Sequence, residues 1–196
     1  KCTDKYYEIT GEVPKSFRAG KYGANVDTLD IINELGYKYD FSEFYSQKWC
    51  GIKPEVAYVL PQKYKNLIEF PVTIFRSFKF SSIYQRFDKI EAVDCPKEMC
   101  HILDLYAKSP NKEVMFLHSF SFINFLENPD NPTINKRAIE HFKTILKYVD
   151  ESKHLRFIAE KDLEYVDVPQ RDTKENIVTT KGFIRQFKYF LIRAWS

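Results

Sequence analysis

Short β-rich runs alternate along this chain with stretches whose apolar residues recur at helical spacing, and that alternation limits its fold more than any other feature. Ser16-Phe17-Arg18 reads as a short strand. Asn25 stands where a helix cap belongs, followed by Val26, Leu29, Ile32 and Leu35 at every third position and by Gly36 as a stop. A helix is therefore predicted over 26–35. Tyr37 to Phe41 is a second strand candidate, and Trp49 to Pro61 reads as a long loop. Leu67 to Phe75 is β-rich, with Pro71 marking an edge or a strand end. Asp94 is placed to cap a helix that carries Pro96 in its first turn and runs to about Ala107. Val114-Met115-Phe116-Leu117, after the turn signals Ser109-Pro110-Asn111, has the pattern of a strand buried on both faces. Beyond a loop at 128–135, Ala138, Ile139, Phe142, Ile145, Leu146 and Val149 form one helical stripe. Leu155 to Ile158 is the next strand candidate, and Phe183, Ile184, Phe187, Phe190, Leu191 and Trp195 predict an amphipathic helix over 180–196. Strands alternating with helices, some of them fully buried, predict an α/β fold with parallel pairing.

Six Gly and nine Pro are scattered as punctuation, with no linker-like or repetitive stretch, so residues 1–196 read as a single domain. A hydrophobic content of 44% supplies a core. Thirty Lys and Arg against 27 Asp and Glu leave a net charge of +3, too little for a chain held mainly by phosphates, and nucleic acid is excluded as a partner. No apolar run reaches the roughly 18 residues of a membrane span. The basic face of the C-terminal stripe (Lys181, Arg185, Lys188, Arg193) allows weak contact with an anionic membrane surface. Cys2, Cys50, Cys95 and Cys100 fit neither a disulfide scaffold nor a zinc knuckle, since Cys95 and Cys100 have no second ligand pair at suitable spacing. They read as ordinary thiols.

In α/β sheets and barrels, chemistry sits where strands end. Arg18, Asp40 and His118 are polar residues at the ends of strand candidates, in places the folding pattern does not require. Each also has an ordinary reading: a rim salt bridge, a turn residue and a satisfied histidine at the core edge. Their common position at C-terminal strand ends favours one shared site. His141, beside Phe142 but between Glu140 and Lys143, reads as a solvated helix residue.

Three segments carry a resemblance. Phe17-Arg-Ala-Gly-Lys-Tyr-Gly-Ala-Asn-Val-Asp-Thr-Leu29, Glu34-Leu-Gly-Tyr-Lys-Tyr-Asp40-Phe-Ser42 and Phe116-Leu-His118-Ser occur in the order of motifs in the polysaccharide deacetylase (NodB-homology) family. The chain resembles that family over roughly residues 10–160. The resemblance implies the C-terminal part of a distorted (β/α) barrel and metal-dependent hydrolysis of N-acetyl groups on a polysaccharide or amino-sugar. By this match Arg18 is the third-motif Arg that orients the base, and Asp40 is the fourth-motif Asp near the catalytic His. Leu117 lines the acetyl pocket and His118 is the general acid. Lys21, as backbone oxyanion donor, and Tyr22 are implied as substrate-binding positions. Gly20 stands where the family commonly has Pro, and no Trp closely follows Asp40.

The first two motifs, with the base Asp, a metal-binding Asp and two His at i, i+4, have no counterpart among His101, His118, His141 and His154. The expectation is therefore a C-terminal portion of a longer deacetylase. A divalent metal, zinc first, would belong to the full-length protein, with no metal held by this chain alone. The competing expectation is a non-catalytic carbohydrate-binding or partner-completed remnant.

Overall fold

The computed structural model describes residues 1–45, 47–52, 60–79, 85–108, 113–125, 129–165, 168 and 177. The predicted helix over 180–196 lies outside them, as does most of the predicted loop between Trp49 and Pro61. The described elements make a mixed α/β protein of four α-helices and three small sheets, with no closed barrel among the described residues. They divide into two compact units, residues 1–72 with 159–176 and residues 73–158 with 177–196.

The first unit begins with a helix that the sequence pattern does not announce. Helix α1 (Cys2–Thr10) buries no residue and stops at Gly11, whose φ of +73° lets its N–H reach the Tyr7 carbonyl. Strand β1 (Ser16–Phe17) leads through a tight turn at Gly20–Tyr22 into helix α2 (Val26–Glu34). Asn25 caps α2 as expected: its side chain accepts from the Thr28 N–H, and the Thr28 hydroxyl answers the Asn25 N–H. Of the predicted stripe, Leu29 and Ile32 are buried while Val26 and Leu35 are half exposed. A three-residue step falls about 60° short of a full turn, so a strict period of three winds off the core face within about 9 residues.

Strand β2 (Tyr39–Asp40) runs parallel to β1, with α2 as the crossover that parallel pairing requires. Strand β3 (Gln62–Tyr64) and strand β4 (Leu67–Glu69) follow as a hairpin, and β4 pairs in parallel with β2, giving the order β1-β2-β4-β3. Leu29, Ile32, Tyr37 and Leu67 are the core, with Phe17, Ile52 and Tyr64 packed against them.

The second unit opens with a hairpin of strand β5 (Ile74–Lys79) and strand β6 (Gln85–Lys89). The β-rich run from Leu67 is thus two strands, broken at the Pro71 that sequence marked as an end. Helix α3 (Pro96–Tyr106) starts one residue later than predicted, with Cys95 rather than Asp94 at its cap and Pro96 in its first turn. Val114–Leu117 is not a strand buried on both faces. Only Phe116 pairs, in a single parallel bridge to Glu91, and only Phe116 of the four is fully buried.

A short turn at Ser119–Phe122 leads to strand β7 (Ile123–Asn124), which pairs with strand β8 (Thr133–Ile134). Helix α4 (Lys136–Asp150) follows, capped by Asn135, and inserts Ala138, Ile145 and Val149 of the predicted stripe into the core. Residues 155–158 form no strand: Phe157 is 55% exposed, and the segment takes part in no ladder among the described residues.

Candidate functional site

Parallel pairing brings the carboxyl ends of β1, β2 and β4 to one edge of the first unit's sheet. Phe17 is opposite Asp40, and Asp40 is opposite Glu69. The residue leaving β1 is therefore Arg18, and two carboxylates lie side by side at the ends of β2 and β4.

Hydrogen bonds run across this edge. The Ala19 N–H donates to Ser42 Oγ at 2.9 Å, and the Ser42 hydroxyl donates to Asp40 Oδ1 at 2.6 Å. The Glu43 N–H donates to Glu69 Oε1 at 2.9 Å. Asp40, Ser42, Glu43 and Glu69 are each at most 2% exposed. The remaining oxygens, Asp40 Oδ2 and Glu69 Oε2, meet no donor from any other group among the described residues. Two ionised carboxylates buried side by side would repel without solvent to screen them. Burial, above all, raises the Glu69 carboxyl well above its ordinary range; its hydrogen bond with Asp40 and the charge of Asp40 act in the same direction. That shift favours the protonated form of Glu69, the form that relieves the repulsion. Burial likewise raises the Cys50 thiol, which sits under the Phe44 N–H at 3.5 Å.

Arg18 and Tyr22 form the outer part of this edge. Arg18 is exposed, donates from Nη2 to the Tyr22 hydroxyl at 2.9 Å, and places its guanidinium 5.2 Å from the Tyr22 ring centre. Tyr22 is buried against Phe44. Lys21 and Tyr22 both take positive φ, 54° and 59°, a backbone shape costly for side chains with a Cβ. Two turn bonds hold it, from the Tyr22 N–H to the Ala19 carbonyl and from the Gly23 N–H to the Gly20 carbonyl.

The fifth-motif residues belong to the second unit. Leu117 is half-buried, and His118, exposed, follows the Phe116 bridge by two residues. The His118 ring meets Phe116 edge-on at 4.4 Å and stacks on Phe120 at 4.2 Å. Phe120 and Phe125 leave aromatic surface exposed beside it. His141 is not solvated as the sequence suggests. It is half-buried, with Nδ1 3.0 Å from the Val93 carbonyl.

Glu43 and Glu69 join the site without being among its sequence candidates, and Ser42 figures there only as part of a motif. A signal for Glu69 was present: an acid between Ile68 and Phe70 in a β-rich run, where an exposed-face reading is the ordinary one. The described residues do not fit the metal that the resemblance implies. No group of three or more His, Cys, Asp and Glu among them is arranged to hold one. No helix among them is long and apolar enough to cross a membrane. No family model, curated protein or solved structure matches the chain.

Proposed function

We propose that this chain carries the third to fifth motifs of a polysaccharide deacetylase-type domain, as the C-terminal part of its distorted (β/α) barrel. Joined to a base carboxylate and metal ligands from outside the described residues, it would hydrolyse N-acetyl groups on a polysaccharide or amino-sugar. One observation carries the reading: the third- and fourth-motif positions, Arg18 and Asp40, leave adjacent parallel strands at one sheet edge and are tied through Ala19, Ser42 and Asp40.

In that reaction water adds to the acetyl carbonyl, the C–N bond of the tetrahedral intermediate breaks, and acetate and a free amine leave. His118, an exposed imidazole held between two aromatic rings, gives its proton to the departing nitrogen. The Lys21 N–H is the donor assigned to the oxyanion, set by the strained turn. Leu117 faces the acetyl methyl. Arg18 orients the base, and Tyr22 fixes the guanidinium. Asp40 is fully buried and cannot touch substrate, so its part is to position: it anchors Ser42, which holds the backbone just after Arg18.

The exposed faces of Phe120 and Phe125 favour a second reading, a carbohydrate-binding module that stacks sugar rings without turnover. The coding sequence on the N-terminal side of Lys1 separates the two. An Asp-Asp pair followed by His-x-x-x-His supports the enzyme; a coding sequence without them overturns it. In the full gene product, acetate release from N-acetylglucosamine oligomers should fall by about 10²–10⁴ in H118A with metal content unchanged. Full turnover in H118A refutes the assignment of the acid, and oligomer binding without acetate release leaves the binding module.

A further inference from the structure

His118 stands in the second unit at the end of a line of contacts that begins on β6. Lys89, the last residue of β6, holds its Nζ 3.7 Å from the centre of the Phe116 ring. That is well inside the roughly 6 Å over which a cation is drawn to an aromatic face. The Phe116 ring in turn meets the His118 ring at 4.4 Å and nearly at right angles, and His118 stacks on Phe120 at 4.2 Å.

Lys89 is itself tethered. Its ammonium pairs with the Glu91 carboxylate at 3.1 Å, and both side chains are half-buried. Glu91 also forms the parallel bridge to Phe116. The Phe116 backbone is fixed on both sides, its N–H donating to the Ile90 carbonyl at 2.8 Å and its carbonyl accepting from the Ala92 N–H at 2.9 Å. Backbone pairing thus settles where Phe116 stands, while Lys89 acts on its ring. Phe116 is buried and His118 is exposed, so a core ring forms one wall of the seat of a surface histidine.

We propose that Lys89, tethered by Glu91, is a positioning residue for His118: it holds the Phe116 ring against the imidazole and so fixes the direction in which His118 gives its proton. The proposal rests on the reading of His118 as the general acid. A proton donor works only within hydrogen-bond reach of the departing nitrogen, so a small turn of the imidazole costs rate rather than substrate binding.

NMR of the His118 ring in this chain, its signals assigned by their loss in H118A, tests the contact without turnover. Phe116 and Phe120 should displace those signals from the values of a free histidine. K89Q should move them towards the free values, and K89R, which keeps a cation over the ring, should restore them. K147Q should leave them in place, because Lys147 is exposed on α4 beside Glu151. Should K89Q not fold, E91Q decides: it loosens Lys89 without touching the ring and should move the signals the same way. In the full gene product K89Q should lower kcat for acetate release about two- to thirtyfold, the span of one cation–π contact, with KM unchanged and K89R near the parent. His118 signals that stay in place in K89Q overturn the proposal and leave the deacetylase reading standing. Unchanged kcat in K89Q beside a slow H118A overturns it as well. Full turnover in H118A instead overturns the reading of the acid, and the positioning role with it.

Discussion

Replacing Glu69 by Gln should change how stability depends on pH while leaving the geometry of the sheet edge in place. Burial raises the folded-state pKa of Glu69 above the ordinary carboxyl value of 4.5. Between those two values the folded chain keeps a proton that the unfolded chain has released. The stabilisation tied to that proton is complete below the unfolded value and is lost as pH rises through the folded one. Within the window, stability falls by about 1.4 kcal/mol per pH unit for one proton.

In E69Q the amide N–H₂ takes over donation to Asp40, the amide oxygen still accepts from the Glu43 N–H, and the proton equilibrium is gone. Urea unfolding of parent and variant between about pH 5 and pH 8, compared at each pH, isolates this term. Asp40, Glu43 and Cys50, the other titratable groups buried at this edge, are present in both proteins and cancel to first order. The variant should gain on the parent by about 1.4 kcal/mol per pH unit until Glu69 has lost its proton, after which the difference is level. A difference that stays constant over the whole range, or a parent that gains on the variant, refutes the shared proton.

Gly51→Ala should destabilise the first unit by about 1–3 kcal/mol in chemical denaturation, the range for an overpacked site. The added Cβ would lie 2.8 Å from Asn25 Cβ and 3.1 Å from the Ala24 carbonyl oxygen, which itself accepts from the Gly51 N–H. A loss below about 0.5 kcal/mol would mean that Gly51 is not held against Ala24 and Asn25 as described. Tyr106→Phe should cost about 1–3 kcal/mol with an unchanged denaturant slope, because the fully buried Tyr106 hydroxyl donates to the Ile74 carbonyl and its removal strands that acceptor.

What was legible in the sequence was local. Asn25 and Gly36 announce helix ends through backbone chemistry that operates within a few residues, and the structure places the cap and the stop there. Pro71 announces a break because it cannot donate to a ladder. Pairing was less legible. Val114 to Leu117 has strand composition, yet whether it joins a ladder depends on what lies beside it, and of the four only Phe116 forms a β-bridge. Leu155 to Ile158 shares that composition and pairs with nothing described. His141 shows the same limit in a single side chain: its sequence neighbours are polar, but its hydrogen bond is to Val93, far away in the chain.

The candidate site follows the same division, and this explains why its outer half was readable and its inner half was not. Arg18 and Asp40 stand out because a polar residue at a strand end breaks a local pattern. Glu69 breaks a pattern too, but a lone acid in a β-rich run is ordinary when one face of the sheet meets water. Its meaning depends on β4 lying parallel beside β2, which sets Glu69 opposite Asp40 and removes water from both. Once that pairing is formed, a protonated Glu69 is the donor beside Asp40 among the described residues, and Asp40 in turn holds Ser42 against the Ala19 N–H. The backbone that presents Arg18 is therefore fixed by a proton two strands away. Stripping that proton should loosen the turn at Gly20–Tyr22 before it unfolds the unit, since Ser42 ties that turn to Asp40 through the Ala19 N–H.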